Sequence, residues 1–320
     1  MALVATAADL GRFGITETPL VPLESIAPPG VRLYAKCEWH LPTGSVKDRV
    51  AASMVAAAMA AGTLAPTTRL LEPSSGNTGI ALARVAALLD TPLTVMVPDD
   101  VSRERIDLLT AFGATIETTP GSEGSNGAVR RAEARAARTG ELMLHQYENP
   151  ANPGAHERTT GPEILDQLDR MGVDRLDAFV ASLGTGGTLM GVGRALRSRR
   201  PTVSIVAAEP PVGELISGLR SLADGYVPPI FDPAALDRKL LVRTRDVIAM
   251  TRRLLAEEGL FAGPSSGAAV HAAVKVAERS DPGSVIVTLL PDAGWKYLST
   301  GVFEGSLDEA EARVLGATLW

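Results

Sequence analysis

Hydrophobic positions along the chain fall into two alternating kinds of run. Short apolar stretches, RLLEP (69–73), LTVMVP (93–98), ATIETTP (114–120), DAFVASL (177–183), VSIVAAEP (203–210) and SVIVTLLP (284–291), read as strands. Between them lie longer stretches with apolar residues three and four apart, among them NTGIALARVAALLD (77–90), SRERIDLLTAFG (102–113), GSNGAVRRAEARAA (124–137), GTLMGVGRALRSRR (187–200), RDVIAMTRRLLAEEG (245–259) and SGAAVHAAVKVAER (266–279). These read as helices. Strand–helix alternation predicts parallel sheets wrapped by helices. It runs in two series, the second opening with the helix ERTTGPEILDQLDRMG (157–172), so two open α/β domains with a ligand crevice between them are expected. The stretch 210–245 is rich in Pro and Gly with weak periodicity and reads as a long functional loop. In VRLYAKCEW, alternation of Val31, Leu33, Ala35, Cys37 and Trp39 predicts a strand with Cys37 on its inward face.

Composition narrows the class. The 320 residues are 45% hydrophobic and 21% charged, as in an ordinary soluble protein of about two domains. A net charge of -6 argues against a nucleic-acid partner, and basic runs such as RSRR (197–200) read as solvated helix ends. A single cysteine permits no intrachain disulfide and fits a reducing compartment. His40, His145, His156 and His271 have no ligand spacing, so no metal site is expected. With no signal-like segment or 18-residue apolar run, the expected location is cytoplasmic, with no membrane partner.

The candidate chemistry lies in three turns and one lysine. EPSSGNTG (72–79), GTGGT (184–188) and GPSSG (263–267) each open a helix, the first two directly after a strand. Small residues there let backbone N–H groups approach an anion directly. Asn77 and Thr78 add side-chain hydrogen bonds suited to a carboxylate, and the two hydroxyls of GTGGT suit a phosphate. A dinucleotide fold with Glu209 as its ribose acid competes, but Leu189 stands where the third glycine belongs after Gly184 and Gly186. In LPTGSVKDRV (41–50), Lys47 opens an apolar helix, where the helix dipole repels an ammonium group. One lysine after a turn, a phosphate nest and an anion loop are what pyridoxal phosphate requires.

TGSVKDR, EPSSGNTG, GTGGT and GPSSG, in this order over essentially the whole chain, resemble the cysteine synthase and cystathionine β-synthase family of pyridoxal phosphate enzymes. The resemblance implies fold type II, the tryptophan synthase β-subunit-like pair of α/β domains with the cofactor in the crevice. It implies a smaller, mobile domain over 48–153 and a larger one from 1–47 with 154–320. It assigns Lys47 to the Schiff base and to Cα proton transfer, and Asn77 to the cofactor's phenolic oxygen. Gly184, Thr185, Gly186, Gly187 and Thr188 are assigned to its phosphate, and Ser265 to its pyridine nitrogen. Ser74, Ser75, Gly76, Thr78 and Gln146 are assigned to the substrate carboxylate, with the Ser75–Thr78 loop closing on it. A neutral hydroxyl at the ring nitrogen favours loss of a β leaving group, giving an aminoacrylate and β-replacement. Glu17, Leu41, Ser74 and Pro264 depart from the family's usual residues.

The segment AAEPPVGELISGLRSLADGYVPPIFD and the ending DAGWKYLSTGVFEGSLDEAEARVLGATLW look most like the mycobacterial-type O-phosphoserine sulfhydrylases of that family. That likeness assigns Arg220 to a substrate phosphate and makes a thiocarboxylated sulfur-carrier protein a candidate partner beside sulfide. An O-acetylserine sulfhydrylase, or a β-replacement enzyme with another nucleophile, stays open. A homodimer is expected, and the apolar tail VLGATLW (314–320) is expected to dock near the cleft.

Overall fold

The computed structural model describes residues 7–74, 76–99, 101–214 and 216–316. Ser75 and the last four residues of the tail, 317–320, therefore lie outside the described residues. In chain order the elements are α1 (Ala7–Gly11), β1 (Leu20–Pro22), β2 (Arg32–Cys37), α2 (Lys47–Ala60), β3 (Leu70–Pro73), α3 (Asn77–Leu88), β4 (Leu93–Pro98), α4 (Arg103–Ala111), β5 (Thr115–Thr119) and α5 (Gly124–Thr139). There follow α6 (Ala151–Arg158), α7 (Thr160–Arg170), β6 (Ala178–Ser182), α8 (Gly187–Arg199), β7 (Ser204–Glu209), β8 (Arg238–Leu241), α9 (Thr244–Glu258), α10 (Pro264–Ala277), β9 (Val285–Leu290) and α11 (Leu307–Gly316). A short 3-10 turn over Gly294–Thr300 separates the last two.

Two sheets form. The larger runs β1-β2-β9-β6-β7-β8, with β1 antiparallel at one edge and every other pairing parallel. The smaller is β3-β4-β5, all parallel. Apolar side chains from α9 and α10 cover one face of the larger sheet and those from α7 and α8 the other. Burial on both faces explains why β6 and β9 read as near-continuous apolar runs. Between α2, α3 and the smaller sheet lies a separate core, so each sheet has its own.

Three local readings change. Cys37 is buried as its alternation predicts, but five consecutive residues of β2, Leu33 to Cys37, are buried rather than every second one. β2 is an interior strand, between β1 and β9, and its second face carries Lys36 into a polar network. The strand β8 lies inside the stretch that lacks periodicity. Its four residues are mostly exposed at a sheet edge, so no apolar pattern marks them. The helix expected over 157–172 is divided: Glu157 and Arg158 end α6, over ANPGAHER, and α7 begins at Thr160; Pro153 sits in the first turn of α6, where a missing N–H costs nothing. Burial pushes the Cys37 thiol up to about 12, which leaves it inert as a nucleophile.

The start of α2 is fixed by buried charge. Arg49 is fully buried and donates from Nε to Glu38 Oε2 at 2.7 Å and from Nη1 to Glu163 Oε1 at 2.6 Å. Its Nη2 reaches Glu163 Oε2 at 2.8 Å and Glu38 Oε1 at 3.1 Å. Lys36 Nζ donates to the Thr18 carbonyl at 2.6 Å and Gln167 Oε1 at 2.7 Å, and lies 2.7 Å from Glu163 Oε2. Burial alone would raise the Glu38 carboxyl, but Arg49 and then Lys36 hold it below its ordinary value. Two of the family departures also have structural places. Glu17 Oε1 accepts from Arg170 Nη2 at 2.6 Å, and Leu41 is buried in the core with Leu10 and Phe13.

Arg49→Met leaves Glu38 buried beside an apolar side chain, while the part-buried Glu163 keeps Lys36 as its partner. The expected loss is about 3–5 kcal/mol, as for breaking a buried pair at one partner. Urea unfolding followed by circular dichroism reads it; a loss below about 1 kcal/mol would show that the network is solvated in practice.

Candidate active site

The carboxyl ends of both sheets' strands open onto one cleft of about 570 Å³. Pro73 and Pro98 come from the smaller sheet, and Ser182, Leu289 and Pro291 from the larger. A crevice at strand carboxyl ends is where open α/β sheets bind ligands. All three small-residue turns reach it.

Lys47, the first residue of α2, projects into the cleft. Burial lowers the pKa of its amine from the usual lysine value, and the Asp292 carboxylate only partly offsets that. The neighbouring Asp48 makes the helix start tenable. It accepts from the Thr43 N–H at 2.9 Å and the Thr43 hydroxyl at 2.8 Å, and its acidic side chain lies at the positive end of the dipole.

The turn before α3 supplies the second wall. Ser74 Oγ accepts from the Gly79 N–H at 3.0 Å, Gly76 caps the helix, and Asn77 and Thr78 form its first turn. Thr78 donates to Gln146 Oε1 at 2.6 Å, which brings the predicted Gln146 against this turn from 68 positions away. Ser74, Gly76, Asn77, Thr78 and Gln146 all line the cleft. Asn77 donates from Nδ2 to Asp292 Oδ2 at 2.7 Å and accepts at Oδ1 from Lys296 Nζ at 2.6 Å.

The third wall is the loop at the start of α8. Gly184, Thr185, Gly186 and Thr188 line the cleft, whereas Gly187 is buried behind them. Gly186 has φ 84°, and a Cβ at Gly187 would lie 1.9 Å from Asn152 Oδ1, so glycine is required at both for different reasons. Asn152 ties this loop to the carboxylate side: its Nδ2 donates to the Gln146 carbonyl at 2.8 Å and to Thr185 Oγ1 at 3.1 Å. Behind it, His156 lies 2.9 Å from Thr160 Oγ1 and 3.3 Å from Thr188 Oγ1. Burial, then the charges of Arg49 and Lys47, push its pKa well down, so the imidazole is neutral. Ser265, in the first turn of α10, faces the cleft opposite Gly218.

Arg220 stands at the side of the cleft. Its guanidinium carbon lies 5.2 Å from the Tyr147 ring centre and 4.9 Å from that of Tyr226, a cation over two rings that meet edge to face. Its backbone N–H donates at 2.7 Å to the carbonyl of Leu183, the residue before the GTGGT loop. Arg220 and the small-residue loop are thus one rigid unit.

The sequence reading passed over Glu72, Asp292, Lys296, Tyr147 and Tyr226. Asp292 and Lys296 follow β9, and the general position of ligands beyond strand ends would have marked them. Glu72 is 2% exposed, with one oxygen lacking a partner and backbone N–H groups of Leu144 and His145 directed to it. Burial pushes its carboxyl up to about 8, against those two hydrogen bonds. Between about pH 4.5 and 8 the folded protein therefore keeps a proton that the unfolded chain releases, and stability falls as pH rises through that window. Glu72→Gln removes the titration, so its stability relative to wild type should rise from pH 5 to pH 8 in thermal melts. Parallel curves would show that Glu72 is ionised in the fold.

Comparison with known proteins agrees with this geometry. Residues 12–292 match the family model described as pyridoxal-phosphate dependent enzyme. A cysteine synthase of Staphylococcus aureus is 40% identical over 297 residues, covering 90% of this chain and 95% of that protein. A probable cysteine synthase of Bacillus subtilis is 40% identical over 312 residues, covering 95% and 99%. Among solved structures, an O-ureido-L-serine synthase superposes with a TM-score of 0.85 at 41% identity, covering 92% of this chain and 96% of that one. A cysteine synthase from Entamoeba histolytica gives 0.84 at 31% identity, covering 94% of each.

Proposed function

The chain belongs to the pyridoxal-phosphate dependent enzymes, with cysteine synthases among its relatives, and from that premise we propose that its amino-acid substrate is O-phospho-L-serine. The reaction in this reading is β-replacement, with sulfide or a thiocarboxylated sulfur-carrier protein giving the sulfur of L-cysteine. The observation that carries it is Arg220, a permanent cation over the rings of Tyr147 and Tyr226 on the wall of the cleft.

The residues fit the cofactor. Burial keeps the Lys47 amine from being a firmly held cation, so it is available as a nucleophile, and the glycine cradle of 184–188 ends at the N-terminus of α8. In this reading Lys47 carries the cofactor, the 184–188 loop its phosphate, Asn77 its phenolic oxygen and Ser265 its ring nitrogen. Bound pyridoxal phosphate supplies an electron sink for electrons released at the substrate's Cα. Ser74, Gly76, Thr78 and Gln146 bind the substrate carboxylate, and Ser75, outside the described residues, belongs with them by sequence. Lys47 takes and returns the Cα proton. Arg220 meets the phosphate ester and stabilises the charge that leaves with it. We infer a homodimer as the assembly.

A second reading has an observation of its own. Glu148 and Glu133 lie near enough to Tyr226 to raise its pKa, behind burial as the larger cause, so this wall is not uniformly cationic. A neutral ester such as O-acetylserine, or a neutral nucleophile, suits mixed charge better than a dianion does. The relative named O-ureido-L-serine synthase keeps such a nucleophile in view.

Two experiments test the proposal. The purified protein should be yellow, with borohydride fixing the cofactor to Lys47 and Lys47→Ala colourless; label on another lysine would overturn the assignment. Arg220→Ala should lower kcat/KM for O-phosphoserine by a factor corresponding to about 2–4 kcal/mol, the loss of one charge-assisted contact whose partner stays unpaired. The loss with O-acetylserine should be much smaller. Equal losses on both substrates would make Arg220 a loop-shaping residue and give the acetylserine reading first place.

A further inference from the structure

We propose that Lys296 is a positioning residue of the active site, fixing the side-chain amide of Asn77 so that one N–H stays directed into the cleft beside Lys47. Lys296 is 1% exposed, in the 3-10 turn that follows β9, and makes its 2.6 Å hydrogen bond to Asn77 Oδ1 across 219 positions of sequence. An ammonium group donates and never accepts, so it selects the oxygen end of the amide. The nitrogen end is selected independently by Asp292, whose Oδ2 accepts from Asn77 Nδ2 at 2.7 Å. Tyr297 holds that carboxylate in turn, its hydroxyl donating to the same Oδ2 at 2.6 Å.

The two contacts leave the amide a single orientation. Flipping it would set the NH₂ against an ammonium and the carbonyl against a carboxylate, two repulsive contacts in a buried place. Of the two hydrogens on Nδ2, Asp292 takes one, and the other remains for whatever occupies the cleft, which Asn77 lines. Joined to Lys47, pyridoxal phosphate carries a phenolic oxygen on the ring carbon next to the one bearing the lysine linkage. That oxygen is an acceptor, and the remaining Asn77 N–H is a donor on the cleft wall.

A buried lysine is expensive to keep. Burial pushes Lys296 down to about 8, against the attraction of Asp292 and Asp48. Well-packed apolar residues in such places are usually as stable or more stable, so a buried ammonium against a site amide has its use in orientation.

The test uses the purified holoenzymes of wild type, Lys296→Met, Lys296→Arg, Asn77→Ala and the Asn77→Ala/Lys296→Met double variant. Cofactor affinity is read by equilibrium dialysis, and the visible band reports the hydrogen bond to the phenolic oxygen. Lys296→Met should weaken cofactor binding about tenfold, the size of one charge-linked hydrogen bond, and move the band to shorter wavelength. Arginine should restore both, since it donates to the same oxygen. In the Asn77→Ala background the lysine change should add nothing, because its route to the cofactor has been removed. An unmoved band and unchanged affinity in a folded Lys296→Met, or additive effects in the double variant, would overturn the proposal. Lys296→Gln, read by the same criteria, replaces the methionine variant if that one does not fold. The comparison of single and double variants is independent of which lysine carries the cofactor, so failure here and failure of the Lys47 assignment are separate results.

Discussion

Two cations and two carboxylates packed together, the buried Lys36, Arg49 and Glu38 and the part-buried Glu163, determine where the first turn of α2 lies, and the site is built on that turn. Each charge alone would be costly to desolvate, so the four are tolerable only in one arrangement that satisfies all of them. They come from β2, the residue after it, α2 and α7, and Thr18 from the amino-terminal segment closes the set at Glu38 Oε1, 2.7 Å away. Arg49 follows Lys47 by two positions. Locking the guanidinium therefore locks the direction in which the lysine leaves the helix, and Lys47 keeps its place at a helix start that disfavours it.

From that fixed turn the remaining parts are tied by hydrogen bonds, some within the smaller sheet's side of the cleft and others crossing between the two sheets. Thr78 meets Gln146, Asn152 meets both the Gln146 carbonyl and Thr185, and Asn77 meets Asp292 and Lys296. Helix α4 of the smaller sheet adds Glu104 on Ser299 at 2.7 Å and Arg105 on Ser217 at 2.6 Å. Polar bridges of this kind hold the cleft walls in register, yet they contribute far less than an apolar interface. The larger sheet has an apolar core on each face and the smaller sheet a separate one, and Val46, Ala181 and Leu289 carry one of these up to the cleft wall.

How much of this the sequence carried follows from the range of each interaction. Strand runs such as SVIVTLLP and turns such as GTGGT are local, and both are found where the pattern puts them. Lys47, Asn77, Thr185 and Ser265 were legible because each sits in a short segment whose chemistry is self-contained. Gln146 reaches the cleft only through a partner 68 positions away, and it was visible through family likeness rather than periodicity. Its place after β9 could mark Lys296 only as lying near a strand's carboxyl end, since nothing in GWKYL points to an amide 219 positions earlier. The helix α6 was hidden by Pro153 and Gly154.

The ionisable groups of the site share one tendency. Burial is the largest influence on Lys47, Lys296, Glu72 and His156, and in each it moves the group toward its neutral form. A cleft floor of that kind resists permanent charge, so a charge carried in by a ligand meets donors and dipoles rather than a tight competing ion. Backbone N–H groups at the starts of α3 and α8 answer negative charge without themselves needing a counter-ion. Arg220 differs from these four, because a guanidinium does not give up its proton, and it lies over two aromatic rings. The two rings meet edge to face, with centres 6.0 Å apart, and the guanidinium lies over both of them. In the proposed reading, the cation that meets the substrate phosphate and the buried groups around Lys47 thus belong to different parts of one cleft wall.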